Sequence, residues 1–536
     1  MSEPKKQNYL HGATILAAGV IIMKILGAIY KIPVRNTIGD DGYALFLTAY
    51  NVYNVFLTLA TAGLPVALSR MIAEANTQGR PMQARRTFSV AWLTFLVLGV
   101  VCSLLMYLFP TELAAALNNV EAAQSIWALS PGVLLVCLTS AYRGYCQGHE
   151  NMIPTTIGQV LEVLVKVIVG LALAWYFVRL GKGTPVASAG AIFGVTAGGL
   201  AALIYMFLYK RRKYKDEPLA SPDVPDSRAK ILGRLMRVGI PITLGASVLS
   251  VINLVDTGLC MGRLQDAAGF SYGDSKVLYG VYGAAQTLYN LPAAFITPLT
   301  ISIVPAIAAC MVRKQRGEAA KIAENSLRIS TVVALPMGVG LSVLAYPIMT
   351  ILYPGSHSSG PELLSIMGIA SFFVCIAIMQ NAILQAHGNE IYPIFSMLAG
   401  GLVKIAINWF LVADPAINIL GAPIGTVCCY MVMCVMNHLF LCKCLEKKPS
   451  IGRILLRPAL SCAAMGLVAW GVNAGLCSLL GGADISRIRM EFSMLVSILA
   501  AVLVYVAAIV VTRAVTLEDM KLIPKGDRIA KLLKIR

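Results

Sequence analysis

Long apolar stretches, each close to 20 residues and separated by short polar segments, follow one another along the whole chain. About 20 apolar residues in a helix span the hydrocarbon core of a bilayer. Because the stretches are continuously apolar and do not alternate as the strands of a membrane barrel do, they predict transmembrane helices. The pattern therefore predicts an all-α polytopic membrane protein with fourteen spans, near residues 9–30, 43–66, 87–109, 126–147, 152–178, 186–209, 236–259, 277–306, 327–352, 362–386, 391–413, 419–443, 455–478 and 492–513.

The second half of the chain repeats the first. The segments CQGHENMIPTTIGQVLEVLVK (146–166) and LQAHGNEIYPIFSMLAGGLVK (384–404) align with a constant offset of 238, which places Lys166 on Lys404. GAIFG (190–194) and GAPIG (421–425) begin equivalent spans, and a GxxxG favours close helix packing. Six spans are an even number, so both halves enter the membrane in the same direction. This arrangement is typical of transporters with a site between two rocking bundles.

The repeat and the loop between its halves define the domain boundaries that we predict. They are an N-terminal six-helix lobe (1–209), a basic cytoplasmic linker (210–235), a C-terminal six-helix lobe (236–445), two extra transmembrane helices (455–513) and a basic cytoplasmic tail (514–536).

Composition and charge support a membrane protein. Hydrophobic residues make up 57% of the 536 positions and charged residues only 13%, about half of the usual share in a soluble domain. The net charge of +18 does not indicate nucleic acid binding, because only eight of the 44 Lys and Arg residues fall on predicted outer loops. This asymmetry follows the positive-inside rule and places both termini in the cytoplasm. The basic tail is then expected to lie on anionic lipid.

The cysteines and histidines of the sequence do not form a recognisable catalytic or metal-binding pattern. The thirteen cysteines are an odd number and lie mostly inside spans, which indicates buried apolar residues rather than disulfides. We interpret Cys434, His438 and Cys442, spaced at i, i+4 and i+8, as helix packing rather than a metal site. No nucleotide-binding motif is present, and no loop is long enough for a soluble catalytic domain. We therefore expect a transporter without a cofactor rather than an enzyme.

The first span holds two lysines on one helical face. Lys24 and Lys31 are seven residues apart, with Gly27 and Ala28 between them on the same face, so the charges are about 10 Å apart along the axis. A charge at the depth of Lys24 costs about 3 kcal/mol on insertion scales. An anionic ligand would offset that cost. The alternative is structural: Lys31 extends to the interface and Lys24 pairs with a carboxylate.

Polar stripes mark the two equivalent spans that follow. Span 2 carries Asn51, Asn54, Thr58 and Thr61 on one face, and span 8 carries Gln286 and Asn290 on another. Such stripes are either the walls of a wet cavity or hydrogen-bonded contacts between helices. We favour the cavity, which makes Asn51, Asn54, Gln286 and Asn290 candidate substrate-binding residues.

Further charges lie inside later spans. Asp256 and Asn253 share a face of span 7, where Asp256 is a candidate counter-ion for Lys24 or a ligand for a coupling proton or cation. Glu162 precedes Lys166 by four residues, a spacing that predicts an ion pair within one helix. Lys404, the repeat mate of Lys166, has Gly400 in place of the acid, so we rank Lys404 as the better substrate-binding candidate.

Three segments carry a resemblance to a known family: IIMKILGAIYKIPV (21–34), TAGLPVALSRMIAE (61–74) and YRGYCQGHENMIPTTIGQVLE (142–162). The chain resembles the polysaccharide-transporter and lipid II flippase (MurJ/MviN-like) branches of the multidrug/oligosaccharidyl-lipid/polysaccharide (MOP) exporter superfamily, in particular the stage V sporulation protein B group. The resemblance implies a MATE-like fold of two six-helix repeats plus two C-terminal helices that form a groove for a lipid tail. It also implies that Lys24 lines a central cavity.

The function implied by the resemblance is a flippase of the bacterial cell membrane. It would move an undecaprenyl-diphosphate-linked saccharide, either lipid II or a polysaccharide repeat unit, to the outer leaflet for cell-wall or spore-cortex synthesis. We expect alternating access coupled to the membrane potential, H+ or Na+, a monomeric protein, and contacts with anionic lipids and with the wall-synthesis or sporulation machinery. Two alternatives stay open: a cation-coupled multidrug exporter of the same superfamily, and a membrane-embedded glycosyltransferase for wall precursors.

Overall fold

The computed structural model describes residues 9–214, 223–446, 449–450, 452–480, 486–512 and 514. Helices account for nearly all of this part of the chain, and it contains no strand. Thirteen helical segments in it are long and apolar enough to cross a membrane. The predicted all-α membrane fold is confirmed. The basic tail beyond residue 514, residues 215–222 of the linker and the first eight residues lie outside the described part.

The chain forms two compact units, Met1–Gln265 with Phe270–Gly280, and Asp266–Gly269 with Val281–Arg536. The helices of the first unit are α1 (Tyr9–Thr61), α2 (Leu64–Thr77), α3 (Pro81–Leu108), α4 (Pro110–Ala116), α5 (Ala123–Gly148), α6 (Ile153–Arg179), α7 (Thr184–Lys213) and nearly all of α8 (Arg228–Asp266). Helix α9 (Tyr272–Tyr289) contains the boundary. The second unit continues with α10 (Leu291–Val312), α11 (Arg316–Val343), α12 (Ala345–Leu352), α13 (Gly360–Ala386), α14 (Ile391–Leu411), α15 (Gly421–Cys444), α16 (Arg457–Leu480) and α17 (Arg487–Thr512).

Helix α1 begins before the first of the thirteen segments, which starts at Ile29 and therefore leaves most of the first predicted span uncounted. Its 53 residues cover the first predicted span and most of the second, with a sharp bend at Gly39 (φ 78°, ψ 176°). A straight helix of this length would measure about 80 Å, well over twice the hydrocarbon thickness. At the bend, the Arg35 Nε donates to Asp40 Oδ1 over 2.6 Å, and both side chains are buried.

Gly39 should be hard to replace. Its backbone lies in a region that only glycine occupies readily, and residues held there cost about 1–3 kcal/mol. A Cβ at this position would also lie 2.9 Å from Asp41 Oδ1. We expect Gly39→Ala to lower the melting temperature of the detergent-purified protein by several degrees. Gly27→Ala is the control, because a Cβ at Gly27, in the same helix, meets no atom within 4 Å. Equal melting of the two variants would contradict this account of the bend.

The two halves of the chain repeat individual contacts. The Ser103 hydroxyl of α3 donates to the Ser130 carbonyl of α5, and the Ser342 hydroxyl of α11 donates to the Ser365 carbonyl of α13, each over 2.7 Å. The ring nitrogens Nδ1 of His149 and His387 each lie 2.9 Å from the carbonyl oxygen four residues earlier. Equivalent helices of the two halves therefore make similar contacts, although Ser365 lies three residues before the position aligned with Ser130. The lobe boundaries at 209 and 236 stay a prediction.

The last two helices pack on α11 and α12 of the second unit. The Tyr505 hydroxyl of α17 donates to the Val332 carbonyl over 2.6 Å, and an Arg487 guanidinium nitrogen donates to the Ile351 carbonyl over 3.0 Å. Large apolar side chains on both helices, among them Leu467, Trp470 and Leu499, stay exposed. In a membrane, these side chains are available to the acyl chains of lipids.

Candidate functional site

The first unit places an aromatic side chain of α1 between two other helices. Tyr30 is fully buried, and its hydroxyl donates to the Ala191 carbonyl of α7 over 2.7 Å. Only glycine fits opposite it on α6, because a Cβ on Gly170 would lie 2.4 Å from the Tyr30 hydroxyl oxygen. The Tyr30 ring also lies 6.2 Å from Phe46, beyond the bend in α1. The two arms of α1 and helices α6 and α7 therefore meet around Tyr30.

Two lysines lie at this meeting point. Lys166 of α6 has its Nζ 5.4 Å from the centroid of the Tyr30 ring, and Lys31 has its Nζ 5.5 Å from the centroid of Tyr50. Both distances are within the range of cation–π attraction. The two ammonium groups are close enough to act on each other electrostatically. Both lysines are half-buried, and within the described part of the chain neither forms an ion pair with a carboxylate.

The predicted ion pair between Glu162 and Lys166 is wrong. Glu162 instead accepts a hydrogen bond from an Arg143 guanidinium nitrogen over 2.6 Å, and both side chains are largely buried. A bidentate-capable guanidinium is a better partner for a carboxylate than an ammonium on the same helix. Glu162 therefore does not act as the counter-ion of Lys166. Tyr53, buried on α1, lies within electrostatic range of both members of the Arg143–Glu162 pair.

Small residues hold α6 and α7 together beside Lys166. A Cβ on Gly194 would lie 2.5 Å from the Lys166 carbonyl oxygen, and one on Gly198 would lie 2.3 Å from the Glu162 carbonyl oxygen. In the second unit, a Cβ on Gly425 would lie 2.0 Å from Asn408 Oδ1. The close packing predicted for the two GxxxG sequences is confirmed, and in the first unit it fixes the helix that carries Lys166.

The polar stripe of span 2 makes hydrogen bonds between helices. Asn51 donates to the Thr257 hydroxyl of α8 over 2.8 Å, and Tyr279 donates to the same oxygen over 2.9 Å. Thr58 shares a 3.0 Å hydrogen bond with Ser250 of α8. Asn54 is half-buried and has no side-chain hydrogen bond among the described residues. Asn51 and Thr58 therefore act as contacts between helices, and ligand binding by Asn54 stays a prediction.

The two polar residues predicted for ion coupling differ in their surroundings. Asp256 of α8 is buried, and the Cys260 thiol donates towards its Oδ1 over 3.7 Å. Asn253 is exposed, and its backbone carbonyl accepts a hydrogen bond from Thr257. The side chain of Lys24 lies outside the described residues, so the predicted pairing of Lys24 with Asp256 stays a prediction.

The candidate residues of the second unit lie on α9, α10 and α14. Asn290 is exposed at the break between α9 and α10, and its amide donates to the Gln286 carbonyl over 2.7 Å. Lys404 is buried on α14. Tyr289 and Tyr430 lie within electrostatic range of Lys404. Lys404 is therefore more enclosed than its repeat mate Lys166.

The sequence singled out Lys31 as a candidate but missed the other residues around it. Lys166 was set aside because Glu162 stood at the favourable spacing for a pair. Tyr30 and Tyr50 are common residues in an apolar helix, and only the bend at Gly39 brings them to the lysines. One pattern could have indicated them: the aromatic residues Tyr43, Phe46, Tyr50 and Tyr53 recur every three or four residues along α1.

Comparison with known sequences assigns the chain to a family. The pattern of the family described as "Polysaccharide biosynthesis protein" matches residues 9–311, more than half of the chain. The chain belongs to this family. Two curated proteins of Bacillus subtilis (strain 168) are similar to it over most of their lengths. Stage V sporulation protein B is 28% identical, covering 81% of this chain and 83% of that protein, and the lipid II flippase MurJ is 26% identical, covering 74% and 76%.

Two solved structures share the fold of this family member. A multidrug resistance MATE family transporter of the MOP superfamily, in an inward-facing conformation, has a TM-score of 0.65 at 16% identity and covers 80% of this chain and 96% of its own. The lipid II flippase MurJ, in an inward closed conformation, has a TM-score of 0.64 at 15% identity and covers 92% and 98%. The resemblance and the MATE-like transporter fold expected from the sequence are confirmed.

Proposed function

We propose that this protein is a flippase for an undecaprenyl-diphosphate-linked saccharide, which it moves from the inner to the outer leaflet of the bacterial cell membrane. The observation that carries the proposal is the pair Lys31 and Lys166. Both ammonium groups are half-buried and have no carboxylate partner in the described residues. Keeping them charged inside a membrane protein costs free energy unless an anion binds to them. The name of one relative, the lipid II flippase MurJ of Bacillus subtilis, supports a lipid-linked cargo.

The chemistry of the site matches a diphosphate headgroup. Two lysines supply positive charge, and the half-buried Asn54 supplies a neutral donor and acceptor of the kind that sugars use. Tyr50, also half-buried, offers an aromatic surface to a sugar ring. We assign Lys24, on the same face of α1 one heptad earlier, to the same site.

The remaining parts of the transport cycle follow from this assignment. The polyprenyl tail stays in lipid along the exposed apolar faces of α16 and α17 while the headgroup crosses. Lobe movement exposes the site to each side in turn. An inside-negative potential favours outward movement of an anion by about 2.3 kcal/mol per charge per 100 mV, so the cycle needs no nucleotide. Coupling to protons or sodium ions through Asp256 is a second driving force for transport.

The proposal is tested in proteoliposomes that contain the purified full-length protein. The cargoes are a fluorescent undecaprenyl-diphosphate disaccharide and a neutral polyprenyl glycolipid with the same sugars, and the readout is the fraction that reaches the opposite leaflet. We expect the protein to accelerate only the diphosphate-linked cargo. Equal acceleration of the neutral glycolipid, or transport of a cationic dye in place of both, would refute the assignment.

A further inference from the structure

The last turn of α7 carries four consecutive basic residues whose side chains have different surroundings. Lys210 turns towards aromatic rings of the first unit, with its Nζ 3.9 Å from the Phe88 centroid and 4.6 Å from the Tyr145 centroid. Arg211 is exposed. Arg212 and Lys213 line a cavity of about 390 Å³. Helix packing therefore accounts for Lys210, but not for the two residues at the cavity.

The cavity combines cationic, aromatic and apolar groups. Arg212 and Lys213 line it together with Tyr205, Leu208 and Tyr209, and none of these lining residues is acidic. All five lining residues belong to α7, so the cavity is a half-open groove on the surface of that helix. Such a lining attracts an anion that has an apolar portion.

The tyrosines are held in place by neighbouring helices. The Tyr209 hydroxyl accepts a hydrogen bond from the Asn151 amide over 2.9 Å, so its own proton can be donated to a ligand. The Tyr205 ring lies against α6, where a Cβ on Gly158 would be 3.5 Å from Tyr205 Cδ1. The aromatic wall of the cavity is therefore preformed.

An exposed apolar stripe leads along α7 from the cavity. Leu200, Ile204 and Leu208 are spaced four residues apart, and each is between 44% and 50% exposed. Residues at this spacing share one face of a helix. In a membrane this face contacts acyl chains, and the cavity is at the basic end of the same helix, where lipid headgroups lie.

We propose that the cavity at the end of α7 is a binding site for an anionic glycerophospholipid. Arg212 and Lys213 contact the phosphodiester, the Tyr209 hydroxyl donates to one of its oxygens, and the acyl chains extend along Leu208, Ile204 and Leu200. Basic pockets beside transmembrane helices are a known means of lipid-headgroup recognition. The site lies on α7, apart from Lys31 and Lys166, and does not depend on which saccharide is transported.

Native mass spectrometry of the full-length protein tests the proposal. The probes are phosphatidylglycerol and phosphatidylcholine with identical acyl chains. We compare Arg212→Glu with Arg211→Glu, because the two variants have the same charge change at adjacent positions and only the first faces the cavity. We expect Arg212→Glu to weaken phosphatidylglycerol binding at least about tenfold and Arg211→Glu to weaken it less than about twofold. Phosphatidylcholine binding should be equal in all three proteins.

Two further measurements distinguish a loss of lipid binding from unfolding of the variant, and lipid binding from phosphate binding. Thermal melting shows whether Arg212→Glu is folded, and Leu208→Asn, which removes an apolar side chain from both the cavity lining and the stripe, gives a second variant with the same expected loss. Inorganic phosphate at millimolar concentration should not displace phosphatidylglycerol. Equal losses in the Arg211 and Arg212 variants would overturn the site, and displacement by inorganic phosphate would overturn its assignment to lipid. Neither outcome would affect the flippase assay, so the two proposals fail independently.

Discussion

Replacing Lys31 and Lys166 together by glutamine should reduce translocation of the diphosphate-linked saccharide about 100-fold or more. Hydrogen bonds to charged groups contribute about 1.5–3 kcal/mol each, and every 1.4 kcal/mol corresponds to a factor of ten. Lys166 lies beside Tyr30 and Lys31 beside Tyr50, and we expect one diphosphate to contact both ammonium groups. The substitution removes charge without removing a carboxylate's partner, and we expect the variant to fold as well as the natural protein.

The measurement is the rate of leaflet exchange in proteoliposomes with equal amounts of folded protein. Lys182→Gln is the matched control, because Lys182 is an exposed lysine between α6 and α7. The double replacement of Lys31 and Lys166 by arginine should restore much of the transport, since arginine keeps the charge. Normal transport by the double glutamine variant, or loss of transport that arginine does not restore, would contradict the assignment of these lysines to the cargo.

Gly194→Val should destabilise the first unit and disturb the site at the same time. A Cβ on Gly194 would lie 2.5 Å from the Lys166 carbonyl oxygen and 2.7 Å from the Cα and N atoms of Gly170. All three atoms belong to the backbone of α6, so no side chain can rotate away to make room. Overpacking of this kind costs about 1–3 kcal/mol and occasionally more. The helix that carries Lys166 must shift, and Tyr30 must lose its position over Gly170.

This second prediction is measured by melting temperature and by transport in the same preparation. Gly233→Val in α8 is the control, because a Cβ there meets no atom within 4 Å. We expect Gly194→Val to lower the melting temperature by several degrees and to impair transport, whereas Gly233→Val should do neither. A Gly194 variant that melts normally would show that α6 and α7 are not held together at this point.

The fold could be predicted because the features that determine it lie within short segments of the sequence. Apolar length defines the membrane helices, and small residues at a four-residue spacing allow close packing, so both features are visible along the sequence. The sequence predicts a break between the first two spans at residues 31–42, and the bend at Gly39 lies within it. The spans do not show that helical backbone continues up to this glycine and resumes directly after it, so that α1 contains both.

The site could be predicted only in part, because its contacts join distant helices. The four-residue spacing that predicts a pair between Glu162 and Lys166 takes only one helix into account. In the structure, the Glu162 carboxylate pairs with Arg143 of α5. The same limitation applies to Asn51, whose partners Thr257 and Tyr279 are more than 200 residues away. Lys31 could be recognised because it shares a helical face with Lys24, whose charge is costly at its depth in the first span, and both features are visible in the sequence.

The contacts shared by the two halves have a consequence for the history of the protein. Ser103 with Ser130 and Ser342 with Ser365 preserve one structural framework in two copies. The equivalent lysines, however, have diverged: one is half-buried beside Tyr30, and the other is enclosed by Tyr289 and Tyr430. This combination is what we expect if a six-helix unit was duplicated and the surroundings of the lysine then changed independently in each copy. The two halves thus share similar contacts between equivalent helices and give their equivalent lysines different surroundings.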